Sequence, residues 1–172
     1  MQITLFKSCP ECNSRSISFI NNKKFYCNDC SFTYFHNAVA AVAVIIKCNS
    51  KILLTKRNLE PAKGRLDLPG GFVNPGETLE QAAKREVKEE LKLELDKIEY
   101  FGSYNNIYQY KHITYNSTDA VFITKIENIN IQEFNHEISK LLLLNCSEID
   151  LNLIGFESMR NAVSDYISLG KQ

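Results

Sequence analysis

The chain has 172 residues, 44% of them apolar and 23% charged, which bounds it to one ordinary globular domain with room for a small appendage. Its 20 basic and 20 acidic side chains cancel, so there is no broad basic field and nonspecific nucleic-acid binding is disfavoured. The longest apolar run, Ala38 to Ile46, is far too short to span a membrane, and the N-terminus carries no secretory hydrophobic core, so a cytoplasmic location is expected.

Four of the six cysteines stand as C-x2-C-x14-C-x2-C: Cys9, Cys12, Cys27 and Cys30. Two such pairs, each able to clamp one side of an ion, read as a tetrahedral zinc site with four thiolates. The alternative is two disulfides, which a reducing cytosol disfavours. A closed site of this kind is structural. It would supply folding energy that a segment of roughly thirty residues cannot draw from a core of its own. Ile17, Phe19, Phe25 and Tyr26 predict short strands around a turn at Asn21-Asn22, and the segment resembles a zinc ribbon. Asn13 and Ser31 follow the pairs where many ribbons have Gly; Asn tolerates the left-handed conformation more readily than Ser. Cys48 and Cys146 read as ordinary small apolar residues.

Residues 38–47 (AVAAVAVIIK) predict a central strand buried on both faces. A turn at Cys48-Asn49-Ser50 leads to a partner strand beginning at Ile52. Asn58 to Gly64 is a loop punctuated by Pro61 and Gly64. Leu66 and Leu68 alternate with charges and suit a short strand. Further on, Ile98–Tyr104, Tyr108–Tyr115 and Ala120–Lys125 predict three strands, Glu127–Glu137 a polar loop and Ile138–Leu144 a last strand. Phe156, Met159, Arg160, Val163, Tyr166 and Ile167 recur at helical spacing.

Between these lies the most informative stretch, residues 70–93. A Gly- and Pro-rich turn leads into a helix that Thr78 caps, with Gln81 completing a capping-box pattern. On the helix, Leu79, Ala82, Ala83, Val87 and Leu91 form an apolar stripe. Glu86, Glu89 and Glu90 gather within one turn of each other, with Glu86 and Glu90 against the stripe. Carboxylates beside a buried face repel one another and resist losing water, so they need a nearby cation. Arg85 and neighbouring lysines are one source. A divalent metal held by oxygen ligands is the other, and Mg²⁺ suits it.

The order and spacing of Gly71, Glu77, Arg85, Glu86, Val87, Glu89, Glu90 and Leu93 match G-x5-E-x7-R-E-U-x-E-E-x-G-U, with U aliphatic. This resembles the Nudix box. Lys92 stands where the pattern has Gly, which normally ends the helix in a left-handed conformation. The resemblance implies an α/β/α sandwich with a mixed sheet over residues 36–172, preceded by the ribbon at 1–35. It implies Mg²⁺- or Mn²⁺-dependent hydrolysis of a nucleoside diphosphate linked to another group. By resemblance, Glu86, Glu89, Glu90 and the carbonyl of Gly70 hold the metal, Glu86 or Glu89 is the general base, and Gly71 and Glu77 brace the loop. Arg85 braces it too or touches phosphate. A homodimer with the ribbon near its interface is also implied.

Outside the box, Glu137, Glu133 and Asp119 are candidates for a further acid. Lys56, Arg57, Lys63 and Arg65 are candidates for phosphate contacts, and Tyr104, Tyr108 and Tyr110 for base stacking, with aromatic strand packing as the other reading. A ribbon before such a domain resembles the NADH and ADP-ribose pyrophosphatase group. The motif S-Q-P-W-P-F-P-x-S of NADH pyrophosphatases is absent: the chain has no Trp, and Gly102 to Tyr108 stand in that place. A nucleoside triphosphate is the second substrate expected. A nucleotide-sensing module without turnover is the alternative class.

Overall fold

The apolar run that opens the second part of the chain is the strand on which the larger part of the molecule is built. The computed structural model describes residues 6–21, 23–110 and 113–170, with Tyr110 described by its backbone alone. The chain divides into two compact units, Met1–Ala38 and Val39–Gln172.

The first unit is an antiparallel sheet of three short strands, β1 (Ile17–Ile20), β2 (Lys24–Cys27) and β3 (Thr33–Phe35), in that order. Asn21 turns the chain after β1 with φ 51°; Asn22 lies outside the described residues. The core is small. Phe25 is fully buried and packs edge-on against Phe19 and Phe32, with Phe6 tilted on it.

The second unit contains β4 (Val39–Cys48), β5 (Lys51–Arg57), β6 (Leu66–Asp67), β7 (Gly70–Phe72), α1 (Leu79–Leu91), β8 (Glu99–Tyr110), β9 (Ile113–Ile126), β10 (Ile138–Asn145) and α2 (Glu157–Leu169). The sheet order is β10-β5-β4-β9-β8, with β6 on β5 and β7 on β4. β4 and β9 run parallel, while the remaining pairs are antiparallel. One edge of β4 is shared: Ile46–Cys48 pair with β5, and Ala41–Ala43 with β7.

Side chains alternate across a strand, so β4 feeds two cores. Val42, Val44 and Ile46 pack with Ala82, Ala83, Val87 and Leu91 of α1. Ala43 and Ile45 pack with Met159, Ala162 and Val163 of α2. This is the α/β/α sandwich with a mixed sheet that was expected. Each fully buried aliphatic side chain contributes about 1.5–3 kcal/mol, so β4 ties both layers together. Leu79, placed in the apolar stripe of α1, is instead 37% exposed at its first turn. Among the described residues, no helix is long and apolar enough to cross a membrane.

The sheet departs from expectation in two places. The three strands expected between residues 98 and 125 are two long ones, β8 and β9, paired from Glu99↔Ile123 to Tyr110↔Ile113. Residues 105–107 and 116–119, outside the expected strands, are part of the ladder through Asn105↔Thr118 and Asn106↔Ser117. Cross-strand pairing overrides local propensity here. The second departure is β7. Its two glycines argue against a strand, yet it pairs with β4 because their missing side chains permit a close approach.

α1 ends where the box pattern calls for glycine. Lys92 itself adopts the left-handed conformation, φ 56° and ψ 26°, and its N–H donates to the Lys88 carbonyl. That conformation costs an L-residue about 1–2 kcal/mol. Lys92→Gly is therefore expected to stabilise the protein by about 1 kcal/mol in urea unfolding. Unchanged or lower stability would mean that the Lys92 ammonium, which donates to the Glu89 carbonyl at 3.2 Å, offsets the strain.

Candidate active site

The turn between β7 and α1 is built from local hydrogen bonds. Gly76 takes φ 88°, open to glycine at little cost. The Asn74 N–H donates to Glu77 Oε2 at 2.9 Å. Thr78 caps α1: its Oγ1 accepts from the Gln81 N–H at 3.2 Å, and Gln81 Oε1 accepts from the Thr78 N–H at 2.8 Å.

The two glycines of β7 are needed for space. A Cβ on Gly70 would lie 2.1 Å from the Val42 carbonyl oxygen. A Cβ on Gly71 would lie 2.6 Å from Glu86 Oε1, so the Glu86 carboxylate rests directly over the bare backbone of Gly71.

Arg85 organises the acids. Its Nε and Nη2 donate to the two Glu77 oxygens at 2.6 and 2.9 Å, Nη2 also to the Phe72 carbonyl at 3.0 Å, and Nη1 to Glu86 Oε1 and Glu89 Oε2 at 2.8 and 3.2 Å. A guanidinium has five N–H donors, and these five bonds use them all. Arg85 thus braces turn and helix in this arrangement, with none left for phosphate. The Glu77 bonds hold its carboxyl below the usual range and push the Arg85 guanidinium up.

The three helix acids differ in burial. The Glu89 side chain is 59% exposed, whereas Glu90 is 9% exposed. Burial, reinforced by Asp67, pushes Glu90 up to about 9, against a bond from the Gly70 N–H at 3.2 Å. Burial also raises Glu86, opposed by Arg85. Asp67 pairs with Arg57 at 2.9 Å, yet burial lifts it to about 6.

A cavity of about 310 Å³ opens beside these groups. Its lining includes Gly70, Gly71, Glu86, Asp67, Arg57 and Glu137 together with Asn106, Tyr108, Ser117, Asp119, Phe156 and Met159, and the Arg57 guanidinium lies over the Phe156 ring, 4.9 Å from its centroid. Glu137 is carried there by a tied loop: the Asn135 N–H donates to the Glu90 carbonyl at 2.8 Å, and the Asn58 N–H to the Glu137 carbonyl at 2.7 Å. The charge of Glu137 adds to the upward push on both Glu86 and Glu90. Glu86, Asp67 and Glu137 thus line the cavity with Glu90 buried close by, while Arg57 pairs with Asp67 and Arg85 with Glu86. The donors are all oxygens, a set that fits a hard divalent cation.

Of the other candidates, Asp119 lines the cavity but is engaged by two serines, Ser117 Oγ at 2.7 Å and Ser158 Oγ at 2.6 Å. Glu133 and Lys63 are outside the lining. Arg65 donates to the Asn152 carbonyl and, with Lys56, borders a separate hollow. The Tyr104 hydroxyl donates to Asp165 on α2 at 2.9 Å, away from the lining. Tyr108 is in the lining, packed against Phe72 and Phe156 with ring centroids 5.3 and 5.7 Å away. The side chain of Tyr110 is outside the described residues. Sequence reasoning missed Asp67, Phe72, Asn106, Ser117 and Phe156. The one available signal was polar Ser117 and Asp119 on alternate positions of a strand that is otherwise apolar inward.

In the first unit, the Sγ atoms of Cys9, Cys12, Cys27 and Cys30 all lie within 4.8 Å of one another. The closest pairs, Cys9–Cys30 and Cys12–Cys27, are 3.6 Å apart, far beyond an S–S bond of about 2.05 Å. Four thiolates around a tetrahedral ion with 2.3 Å bonds would stand about 3.8 Å apart, so the cluster could hold such an ion. Asn13 and Ser31 take φ 59° and 62°, and their N–H groups donate to the carbonyls of Cys9 and Cys27. Both do the work that glycine does in many ribbons.

A family model described as the NUDIX domain matches residues 36–165. The NAD-capped RNA hydrolase NudC of Vibrio atlanticus is 35% identical over 95 residues, 55% of this chain and 35% of that protein. The ADP-ribose pyrophosphatase of Methanocaldococcus jannaschii is 58% identical over 57 residues, 33% of each. The chain thus spans about a third of the length of these relatives. A NUDIX hydrolase from Nitrosomonas europaea superposes with TM-score 0.72 at 26% identity, over 95% of this chain and 91% of that one. The NUDIX domain of Shewanella oneidensis NrtR, solved with ADP ribose, superposes with TM-score 0.65 over 78% and 90%; at 20% identity that likeness speaks to fold alone.

Glu90 provides a direct test of the electrostatics. A buried acid with a raised pKa must take up a proton on folding at neutral pH, at about 1.4 kcal/mol per pH unit above its unfolded value. Glu90→Gln removes that cost. It is expected to stabilise the metal-free protein by about 1–3 kcal/mol at pH 7 and to abolish stabilisation by added Mg²⁺, both read in thermal melts. Lower stability in the metal-free variant would contradict the burial argument.

Proposed function

The chain belongs to the Nudix family, and from that premise we propose that it hydrolyses the diphosphate of a nucleoside diphosphate linked to another group, of the NADH or ADP-ribose kind. One observation supports this reading: Glu86, Asp67 and Glu137 line a cavity with Glu90 buried close by, four acids against two guanidinium partners, Arg57 on Asp67 and Arg85 on Glu86. An anionic diphosphate is repelled from such a field unless divalent cations enter with it. Glu86, Glu89, Glu90 and the Gly70 carbonyl would hold Mg²⁺ or Mn²⁺, with Glu137 as the further acid. A divalent ion held by these residues would supply the positive charge that neutralises phosphate oxygens and makes the attacking water more acidic. Glu86 or Glu89 takes the proton from the attacking water; of the two, Glu86 lines the cavity. Arg85 and Glu77 fix their positions, Arg57 offers a cation at the cavity wall, and Tyr108 an aromatic face for a base.

For the first unit we propose a structural zinc ion held by the four cysteines, and a division into a ribbon at 1–35 and a hydrolase domain at 36–172. Six cysteines without disulfides fit a reducing compartment, which supports a cytoplasmic location. Tyr100 and Ile107, exposed along edge strand β8, support the homodimer.

The function is tested by a hydrolysis panel with Mg²⁺ covering NADH, ADP-ribose and nucleoside triphosphates. Glu86→Gln is expected to lower kcat by about 10²–10⁴ with an unchanged melting profile; retained turnover would overturn the mechanism. Turnover of triphosphates alone would favour the pyrophosphohydrolase alternative, and tight binding without turnover a sensing module. For the ribbon, the expected zinc content is one ion per chain. Stripping it should release hydrogen-exchange protection in residues 6–35 and leave it intact from 39 onward. Loss of protection in both parts would mean that they do not fold independently.

A further inference from the structure

A second hollow, of about 280 Å³, has no part in the hydrolysis proposed above. It lies where β5, β6 and β10 meet the segment 146–153 that leads towards α2. Its apolar wall is Leu66, Leu142, Leu144 and Leu153, and Leu153 is 48% exposed. Three cations, Lys56, Arg65 and Lys140, line it as well. Side chains alternate along a strand, and neighbouring residues divide between the two cavities: Lys56 and Leu66 line this one, Arg57 and Asp67 the acidic one.

The cations are brought together by the sheet. Lys140 is directly opposite Lys56 in the β5–β10 ladder, a position in which like charges repel. A register shift between Ile138 and Lys140 sets them there, and Ser139 Oγ, at the shift, donates to the Lys56 carbonyl at 3.0 Å. Irregularities of this kind re-aim side chains. Arg65 comes close because position 155 is glycine: a Cβ there would lie 3.1 Å from the Arg65 Cβ. Its guanidinium donates to the Asn152 carbonyl, which uses one of five N–H donors.

Among the described residues, none of the three cations is ion-paired. The two carboxylates in the lining are committed to their own turns. Glu148 accepts from the Asn145 N–H and side-chain amide at 2.8 and 2.9 Å, and Asp150 from the Asn152 N–H at 2.9 Å. A lysine on an edge strand can serve simply to deter strand pairing. That role accounts neither for Lys56, on the inner strand β5, nor for the leucines beside it.

We propose that this hollow binds an amphipathic anion: a carboxylate or phosphate head held by Lys56, Arg65 and Lys140, on a short aliphatic chain laid along the four leucines. The head relieves the repulsion between the lysines, and the chain covers apolar surface that water otherwise meets. The volume is just under the roughly 300–1,000 Å³ of small-molecule sites, which limits the chain to a short one.

The test is binding to the full chain without added Mg²⁺, followed by calorimetry and by amide NMR shifts. The probes are octanoate and octyl phosphate, with octanol as the chain without charge and inorganic phosphate as the charge without a chain. At least one of the two anions should bind about tenfold or more tightly than octanol or inorganic phosphate, with shifts at residues 56, 65–66, 140–144 and 148–153. The tighter anion identifies the head group. Hexanoate should bind about tenfold more weakly than octanoate, because two methylenes are lost. The double variant Lys56→Gln/Lys140→Gln, at two exposed positions, should weaken the anion by about tenfold and leave octanol unchanged. The inference is overturned if neither anion binds at millimolar concentration, or if octanol or inorganic phosphate matches them. It is equally overturned if the double variant melts cooperatively and binds as the parent does, or if the shifts centre on residues 70–90. None of these results touches the proposed hydrolysis, in which neither lysine takes part. Glu86→Gln, which tests that hydrolysis, should leave binding of the anion unaltered.

Discussion

An acid buried at the seam between a helix and a sheet, with no cation of its own, is the constraint that organises this molecule. Glu90 is lodged between α1 and β7, and its bond from the Gly70 N–H does not compensate for lost water. Asp67, Glu86 and Glu137 compound the problem rather than relieve it. A fold that sacrifices stability at one point usually does so for a binding role. Here the cost falls close to a cavity lined by further acids, a setting that suits the divalent cation proposed above.

The surrounding structure keeps that arrangement from relaxing. Left alone, Glu86 would swing into water. It is held instead by Arg85 on one side and the bare backbone of Gly71 beneath. Arg85 is fixed by Glu77, and Glu77 by the turn that Asn74 and Gly76 form. The box residues are therefore one mechanical unit. Some meet the cavity, and the others remove the freedom of those that do. Pre-organisation of this kind lowers the entropic cost of assembling a charged site.

Much of this was legible in the sequence because it is local. The capping box of Thr78 and Gln81, the apolar stripe of α1 and the clustering of Glu86, Glu89 and Glu90 follow from helical geometry, and the alternating burial of β4 from strand geometry. What escaped is non-local. Asp67 and Glu90 are far apart in the chain, and only the pairing of β5 with β6 brings Asp67 to the acids. β7 escaped because two glycines hide a strand from any propensity argument, although the same glycines make room for β4 and Glu86. Asn106 and Ser117 fell between the expected strands, since a polar residue facing inward is recognisable only once the opposite strand is known. Lys92 shows the converse case: the left-handed cap position was readable, but nothing in the sequence said that lysine would occupy it in the same conformation.

The cavity carries charge and aromatic surface together rather than apart. Arg57 pairs with Asp67 and also lies over the Phe156 ring, 4.9 Å from its centroid, so the cation that moderates the acids is fixed against the aromatic lining. Asp119 is held by two hydroxyls and still adds to the upward push on Asp67. The parallel pairing of β4 with β9 sets Ala41 beside Asp119 in the same lining. A change at either Asp67 or Asp119 is therefore expected to be felt at the other, because neighbours in one network do not act additively.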